Sequence, residues 1–234
     1  MEIAGQPRLA IDTEFHRERT YFPKVALIQV GWSSGVALVD PLNVDVSPLR
    51  SVLDSEVLIV MHAAGQDLEV MDRICGTMPR CLFDTQLAAG FLGMSSPSLS
   101  SLHERELGLR LPKSDRLTDW LVRPLSTSQQ NYAASDVAHL LEIHELQVVQ
   151  LTERGRLAWM EAECAEFLGR EGRRRRPEDA WRRVKEVRKL KGRARDVARA
   201  VAAWREAKAA EADIPIRHVL SDLAVVAIAQ KAPT

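Results

Sequence analysis

The stretch that most constrains this chain is Leu9–Glu14, which reads L-A-I-D-T-E. It is a short apolar run that ends in two carboxylates spaced two residues apart. In a β-strand, residues i and i+2 point to the same face, so Asp12 and Glu14 are expected to project together from the strand's end. Neighbouring carboxylates repel each other unless a cation lies between them, which favours a hard divalent metal such as Mg²⁺. The alternative for this pattern taken alone is a solvated strand end.

The length and composition are typical of a folded protein with more than one compact part. The 234 residues suffice for one sizeable domain and a smaller one, and 46% of them are apolar. No apolar run reaches the roughly 20 residues that a membrane span needs, and the N-terminus lacks a signal-peptide pattern. The three cysteines, Cys75, Cys81 and Cys164, have no C-x-x-C spacing, which indicates reduced thiols in a cytosolic protein rather than a zinc site. The phosphate-binding pattern G-x-x-x-x-G-K-[ST] is also missing, so no nucleotide cofactor is expected.

The formal net charge of zero hides two regions of opposite sign. Residues 1–169 carry 14 Lys and Arg against 23 Asp and Glu, whereas residues 170–217 carry 17 against 8. An acidic body joined to a basic tail favours a metal site in the first part and polyanion binding in the second. Helices with solvated charged faces are the alternative explanation for the tail.

Strands dominate the start of the chain, and strands and helices alternate after it. The predicted strands are Leu9–Ile11, Val25–Trp32, Val36–Val39, Val57–Met61 and Cys81–Phe83. Short links between the first three favour consecutive antiparallel hairpins. A first helix is predicted at Ser47–Leu53, with Ser47 as its N-cap, and a second directly after the fourth strand. From Asp84, which is predicted to be an N-cap, the chain is expected to be helical with breaks near Gly93–Ser98 and Gly108–Thr118. This order predicts an α/β fold with a mixed sheet flanked by helices.

Three further side chains lie where they could serve the same strand end. Asp67 is placed one turn into the helix after the fourth strand; a favourable charge at a helix N-terminus is the alternative role. Tyr132 and Asp136, in N-Y-A-A-S-D-V, are four residues apart on a helical segment and so share one face. The pair suits a water held beside a metal, or else a surface hydrogen bond between the two side chains.

Weaker candidates for substrate contact come from one loop and one strand end. The segment Lys113–Pro124, K-S-D-R-L-T-D-W-L-V-R-P, is polar and could form a wall that faces a substrate, or pack around Trp120. His62 could touch a ligand, or it could be a hydrogen-bonded structural histidine.

The three blocks D-T-E, H-A-A-G-Q-D and Y-A-A-S-D resemble, in order and context, the DEDD superfamily of 3′–5′ exonucleases, in the branch with Tyr in the third motif. Longer segments are similar to the ribonuclease D family within it. These segments are I-D-T-E-F-H-R-E-R-T-Y-F-P-K-V-A-L-I-Q-V, F-D-T-Q-L-A-A, K-S-D-R-L-T-D-W-L-V-R-P-L and Q-N-Y-A-A-S-D-V. The resemblance runs over roughly residues 9–168 and implies a ribonuclease H-like fold.

The resemblance also implies a two-metal mechanism. By the family's motifs, Asp12, Glu14 and Asp136 are expected to bind one Mg²⁺ or Mn²⁺, and Asp12 to bridge to a second ion that Asp67 supports. Two ions can stabilise both the attacking and the leaving oxygen of an in-line displacement at phosphorus. Tyr132 is expected to orient the attacking water. The implied product is a nucleoside 5′-monophosphate released from an RNA 3′ end, and the implied substrates are transfer-RNA precursors.

Base stacking and phosphate contacts are expected near the metal carboxylates. Phe15, beside Glu14, and the loop residues Lys113 and Trp120 are the candidates, with His62 as a further one.

The basic tail resembles an HRDC helical domain, which in this family follows the nuclease and helps to hold nucleic acid. The predicted organisation is a nuclease domain at 1–168, a basic linker at 169–176 and a helical domain at 177–234, whose apolar faces include Trp181 and Trp204. Family members usually carry an additional segment before the first strand. The chain also stops at Thr234, inside the predicted HRDC helices, so the sequence is expected to be either a fragment or a shortened form.

Two other functions remain open at this point. One is a DNA 3′–5′ exonuclease, which the ribonuclease D-like segments argue against. The other is a non-catalytic RNA-binding scaffold with a degenerate site, which the presence of all five motif residues argues against.

Overall fold

The computed structural model describes residues 3, 5–111, 118–171 and 176–231. The chain forms two compact units. The sheet unit comprises Met1–Phe15 and Val25–Gly172, and the helical unit comprises His16–Lys24 and Arg173–Thr234. Within the described residues, no helix is both long and apolar enough to cross a membrane.

A five-stranded mixed sheet forms the centre of the sheet unit. Its strands are β1 (Arg8–His16), β2 (Lys24–Trp32), β3 (Gly35–Val39), β4 (Leu58–Met61) and β5 (Cys81–Asp84). Their order across the sheet is β3-β2-β1-β4-β5. Strand β4 is parallel to both β1 and β5, and β3 is antiparallel to β2. The prediction of a mixed sheet flanked by helices is confirmed.

Seven helices of the described chain belong to the sheet unit. They are α1 (Leu49–Leu53), α2 (Gly65–Cys75), α3 (Thr85–Phe91), α4 (Leu99–Leu107), α5 (Thr127–Ala138), α6 (Leu140–Glu153) and α7 (Leu157–Glu171). Asp84 caps α3 as predicted, because its carboxylate accepts hydrogen bonds from the backbone of Gln86 and Leu87. The Ser47 prediction is wrong: α1 begins at Leu49, and the Ser47 hydroxyl donates to Asp45 instead of capping the helix.

Alternation along β1 divides the core into two layers. Leu9 and Ile11 point to one face and pack with Leu68 and Met71 of α2. Ala10 points to the other face, where it lies in a second cluster with Val137 of α5. Asp12 and Glu14 continue the register of Ala10, so the carboxylates of the D-T-E segment emerge on the α5 face of the sheet, and Thr13 emerges on the α2 face.

In its described residues after Arg176, the helical unit has two 3₁₀ segments, Pro177–Arg183 and Lys185–Lys189, and then α8 (Gly192–Ala212), α9 (Ile216–Val219) and α10 (Asp222–Lys231). Val184, Val187, Ala198, Ala202 and Val225 are in its buried core. Trp181 packs against this core as predicted. The prediction that Trp204 forms part of the apolar face is wrong, since Trp204 is 52% exposed.

The segment His16–Lys24, between β1 and β2, is part of the helical unit. The Tyr21 hydroxyl donates to Oε1 of Glu206 at 2.6 Å, and the Phe22 backbone N–H donates to Oδ1 of Asp213 at 3.0 Å. Glu206 is 1% exposed and also pairs with Arg183 at 2.5 Å. The segment that follows β1 therefore donates hydrogen bonds to Glu206 of α8 and to Asp213, the residue that caps the C-terminus of α8.

Candidate active site

Three carboxylates from two elements converge at the end of β1. Asp12, Glu14 and Asp136 each offer an oxygen, and these oxygens all lie within 4.8 Å of one another. Asp136 is buried and the two β1 residues are half-buried. The predicted grouping of the D-T-E strand with the Y-A-A-S-D helix is therefore present in the structure.

Two features of α5 place Asp136 beside the end of β1: the start of the helix is fixed by a capping box, and the helix packs closely on the sheet. Ser126 and Gln129 form a capping box, in which the side-chain oxygen of each residue accepts a hydrogen bond from the backbone N–H of the other. The close approach depends on Gly31 of β2: a Cβ built there would lie 3.0 Å from the backbone oxygen of Val137. A glycine inside a strand often marks such a close approach of another backbone.

Tyr132 lies one helical turn before Asp136 on α5, and it is half-buried. Its ring packs with a small apolar cluster that includes Ala26, Leu27 and Trp120. The ring centroids of Tyr132 and Trp120 are 5.9 Å apart, with an angle of 40° between the ring planes. Because Trp120 is only 3% exposed, this packing fixes the ring from behind.

Asp67 reaches the same strand end from the opposite face of the sheet. It lies in the first turn of α2 and is 8% exposed. The Thr13 hydroxyl donates a hydrogen bond of 2.5 Å to Oδ1 of Asp67. Asp67 is not a member of the 4.8 Å cluster, so the structure places it beside that cluster and ties it to β1 through the middle residue of D-T-E.

Burial raises the pKa values of all four carboxyl groups, and repulsion by the other carboxylates of the group adds to the shifts of Asp12 and Glu14. Burial raises the pKa of Glu14 to about 8, and the charges of Asp136 and Asp67 act in the same direction. Burial raises the pKa of Asp136 to about 7. It raises that of Asp67 to about 6, although the hydrogen bond from Thr13 opposes the shift. The pKa of Asp12 is well above its ordinary range for the same reasons, burial first and the neighbouring carboxylates second.

These shifts and the donor set fit a divalent cation. Carboxylate oxygens alone are the ligands that Mg²⁺ and Mn²⁺ prefer, and no thiol or imidazole belongs to the cluster. Carboxyl groups retain protons near neutral pH when burial and neighbouring negative charges disfavour ionisation, and a bound cation offsets both effects by stabilising the ionised form. The residues present therefore fit the metals that the sequence implies.

The remaining predicted site residues differ in how well the structure supports them. Phe15 is half-buried at the end of β1, next to Glu14. Both ring nitrogens of His62 have protein partners, Oγ1 of Thr85 at 2.9 Å and the carbonyl of Pro97 at 3.2 Å, which favours a structural role. The burial of Trp120 favours packing over base stacking. Lys113 lies outside the residues that the structure describes.

Sequence reasoning missed two residues that shape the site. The Thr13 hydroxyl donates a hydrogen bond to Asp67, and Gly31, which lacks a Cβ, allows α5 to pack closely on the sheet. Thr13 has no recognisable signal, because nothing in the sequence shows which side chain faces it. Gly31 could have been recognised as a glycine in the interior of an apolar strand.

The family of the chain follows from its match to known domains. A family model described as a 3′–5′ exonuclease matches residues 1–148, and one described as an HRDC domain matches residues 194–234. The chain therefore belongs to the 3′–5′ exonuclease family. The predicted start of the helical domain at 177 stays a prediction.

Within this family, the chain is similar to ribonuclease D over nearly its whole length, as its motifs indicated. The ribonuclease D of Pseudomonas paraeruginosa is 41% identical over 99% of this chain and 62% of the relative. The crystal structure of Escherichia coli RNase D, described as an exoribonuclease involved in structured RNA processing, matches with a TM-score of 0.90. That match has 38% identity and covers 97% of this chain and 62% of that one. The chain thus spans about three fifths of the length of the curated relatives that it matches.

A solved structure with a metal ion is also similar. NrnC of Brucella melitensis with bound Mg²⁺ matches with a TM-score of 0.63 and 25% identity, and the match covers 71% of this chain and 84% of that one.

Proposed function

We propose that this chain is a metal-dependent 3′–5′ exoribonuclease that removes nucleotides from RNA 3′ ends by hydrolysis. The observation that carries this proposal is the convergence of carboxylate oxygens from Asp12, Glu14 and Asp136 within 4.8 Å of one another. Membership of the 3′–5′ exonuclease family and similarity to ribonuclease D support the choice of reaction and of RNA.

In this proposal Asp12, Glu14 and Asp136 would hold one Mg²⁺ or Mn²⁺, and Asp12 and Asp67 would hold a second ion. When bound, such ions would lower the pKa of a water molecule and stabilise negative charge on the phosphate oxygens. The bond from Thr13 to Oδ1 of Asp67 fixes that carboxylate in one orientation. The raised pKa of Glu14 means that metal binding at neutral pH displaces protons from the cluster.

Tyr132 holds the attacking water through its phenolic oxygen. Its ring is kept in place by the buried Trp120, so the oxygen has a defined position relative to Asp136, one turn along the same helix. The water oxygen attacks the phosphorus of the last phosphodiester and releases a proton to solvent, while the bond to the O3′ of the penultimate nucleotide breaks and that O3′ takes a proton from solvent. The product is a nucleoside 5′-monophosphate, and no covalent bond to the protein forms.

The helical unit adds non-specific affinity for the RNA backbone. Residues 170–217 carry 17 Lys and Arg against 8 Asp and Glu. Three guanidinium groups, those of Arg182, Arg195 and Arg199, lie within 5.7 Å of the centroid of the Trp181 ring. Basic groups beside an aromatic ring suit single-stranded RNA, which offers both phosphates and stackable bases. Structured RNAs with a free 3′ end, such as transfer-RNA precursors, are the proposed substrates.

The experiment that tests this function follows the two ends of one RNA separately. A single-stranded RNA labelled at its 3′ end should release labelled mononucleotide from the start, whereas the 5′-labelled RNA should shorten step by step. Both reactions should require Mg²⁺ or Mn²⁺ and stop on addition of EDTA. Asp12→Asn is the matched control, because it should abolish cleavage while it leaves RNA binding largely intact.

The same assay separates the alternatives. Faster cleavage of DNA of the same sequence would indicate a DNA exonuclease. Binding of RNA without cleavage at any metal concentration would indicate a scaffold. Cleavage that survives complete chelation of metals would overturn the proposed mechanism.

A further inference from the structure

Asp84, at the end of β5, accepts hydrogen bonds from the starts of two different helices. Its side chain is 2% exposed. Oδ1 accepts from the backbone N–H groups of Gln86 at 2.8 Å and Leu87 at 3.3 Å, which is the ordinary capping of its own helix α3. Oδ1 also accepts from Ala63 at 3.1 Å, and Oδ2 accepts from Ala64 at 2.9 Å. The second pair lies at the start of α2, some 20 residues earlier in the chain.

Helix α2 needs this external acceptor because its own start provides none. Its N-cap is Ala64, which has no side chain that could accept a hydrogen bond. The preceding residue, Ala63, has a φ of 58°, in the left-handed region that residues with a Cβ rarely adopt. A strained residue of this kind persists only where surrounding contacts hold it. The two bonds to Asp84 are contacts of this type, and the negative charge also suits the N-terminus of the helix.

The position of this helix start decides the position of Asp67. Asp67 lies three residues after Ala64, in the first turn of α2. At its other end the side chain is held by Thr13, which donates to Oδ1 at 2.5 Å. Asp67 is therefore fixed at two points: its backbone through Asp84 and its carboxylate through Thr13.

We propose that Asp84 is a positioning residue for Asp67, which it acts on through the start of α2. The inference rests on the proposed function, since it assigns Asp84 a part in placing a metal-binding carboxylate. Asp84 does not belong to the cluster of Asp12, Glu14 and Asp136, and both its oxygens are taken up by backbone N–H groups. It is thus a support for a ligand and not itself a ligand. Partners of this kind commonly matter for metal affinity by roughly 10–100-fold.

Two substitutions remove the bond from Ala64 to Oδ2, and so weaken the link to α2, while they keep the cap of α3 on Oδ1. In Asp84→Asn, the amide oxygen can take the place of Oδ1, and the amide NH₂ then faces the N–H of Ala64, donor against donor. In Asp84→Ser, the hydroxyl can still cap α3, but there is no second oxygen for Ala64. The matched control is Ser98→Ala. It removes the hydroxyl that accepts from the backbone N–H of Ser101 and so caps α4, a helix that contains none of the motif residues.

The primary readout is Mn²⁺ affinity of the metal-free protein, measured by titration calorimetry and independent of turnover. Both Asp84 variants should bind Mn²⁺ roughly 10–100-fold more weakly than the wild type. Ser98→Ala should lower the melting temperature and leave the affinity unchanged. The decisive comparison is made in an Asp67→Asn background, where Asp84→Asn should cause little further loss, because both changes act on the same carboxylate.

Each outcome bears on the proposal. An equal loss of affinity with and without Asp67 would overturn it, and so would wild-type affinity in both Asp84 variants. If neither variant folds, as judged by circular dichroism, Asp84 is a residue of the fold and the proposal is also overturned. If the wild type itself neither binds Mn²⁺ nor cleaves RNA, the proposed function fails. If it does both and the Asp84 variants behave like Ser98→Ala, only the present inference fails.

Discussion

Gly31→Ala tests whether the close packing of α5 on the sheet sets the position of the catalytic groups. The added Cβ would lie 3.0 Å from the backbone oxygen of Val137 and 3.3 Å from the Cβ atoms of Ala10 and Val137. Ordinary contacts of this type begin at about 3.5 Å, so the helix and the strand must separate by roughly 0.5 Å. Neither neighbour is the flexible end of a side chain, so the backbone itself has to move.

The expected magnitude follows from this separation. Overpacking of this kind costs about 1–3 kcal/mol, which lowers the melting temperature of a protein of this size by about 2–4 °C per kcal/mol. Val137 is adjacent to Asp136, so the shift moves this carboxylate away from Asp12 and Glu14. Since a 1 Å misplacement can cost 10²-fold in rate, we expect kcat to fall roughly tenfold.

The assay combines thermal unfolding, calorimetry with Mn²⁺ and the rate of release of labelled mononucleotide. Gly90→Ala is the matched control: Gly90 lies in α3, and a Cβ there would meet nothing within 4 Å. This control should keep its activity and gain about 0.5–1 kcal/mol of stability from the lower entropy of the unfolded chain. A Gly31→Ala protein that loses stability but keeps wild-type kcat and Mn²⁺ affinity would refute the reasoning. A protein unchanged in all three would show that α5 does not pack on Gly31 as described.

The tyrosine, the carboxylates and the basic helical unit can each be tested by a separate change. Tyr132→Phe removes only the phenolic oxygen, so kcat should fall roughly 10²–10⁴-fold with unchanged Mn²⁺ affinity; near wild-type kcat would exclude a role in holding water. Burial raises the pKa of Glu14 to about 8 and that of Asp136 to about 7, so Mg²⁺ affinity should increase as the pH rises from 6 to 8 and protons leave the cluster. These raised pKa values also mean that the folded, metal-free protein binds more protons than the unfolded chain. Its melting temperature without metal should therefore fall as the pH rises from 6 to 8. A Mg²⁺ affinity and a melting temperature that both stay constant with pH would contradict the assignment of these carboxylates to a metal site. Replacing Arg195 and Arg199 together by Gln should reduce the slope of log RNA affinity against log salt concentration by roughly 0.7 per lost phosphate contact. An unchanged slope would indicate that these arginines face solvent and do not contact RNA.

Truncation is a less suitable test of the helical unit than these substitutions. Removal of residues 170–234 would also remove Glu206 and Asp213, the partners of Tyr21 and Phe22. The segment between β1 and β2 would then lose the hydrogen bonds that Tyr21 and Phe22 donate to these two residues. A loss of activity on truncation could therefore not be assigned to RNA binding alone.

The parts of the fold that were predictable from the sequence are those decided by local chemistry. Apolar runs placed all five strands, although β1 extends to His16 where the prediction ended at Ile11, because its last residues are the polar ones of the site. The cap at Asp84 was predictable because an Asp before a helical segment has a specific bonding pattern. The grouping of Asp12, Glu14 and Asp136 was expected from the resemblance of their motifs to a known family, and the structure brings their carboxylate oxygens within 4.8 Å of one another.

The features that escaped prediction depend on partners far away in the sequence. Thr13 was overlooked because its partner, Asp67, is 54 positions later in the chain. The second role of Asp84 depends on the backbone N–H groups of Ala63 and Ala64, and no side chain of the sequence indicates the positive φ of Ala63. Membership of His16–Lys24 in the helical unit depends on α8, nearly 200 residues later. Local patterns contain no information about such contacts.

Anomalous diffraction from crystals soaked in Mn²⁺ tests the central claim most directly, namely that Asp12, Glu14 and Asp136 hold the catalytic metal. The soak should use a Mn²⁺ concentration at which the protein in solution cleaves RNA at its full rate. The account predicts an anomalous peak coordinated by oxygens of all three residues, and its loss in crystals of Asp12→Asn. A peak located elsewhere, with none at this cluster, would contradict it.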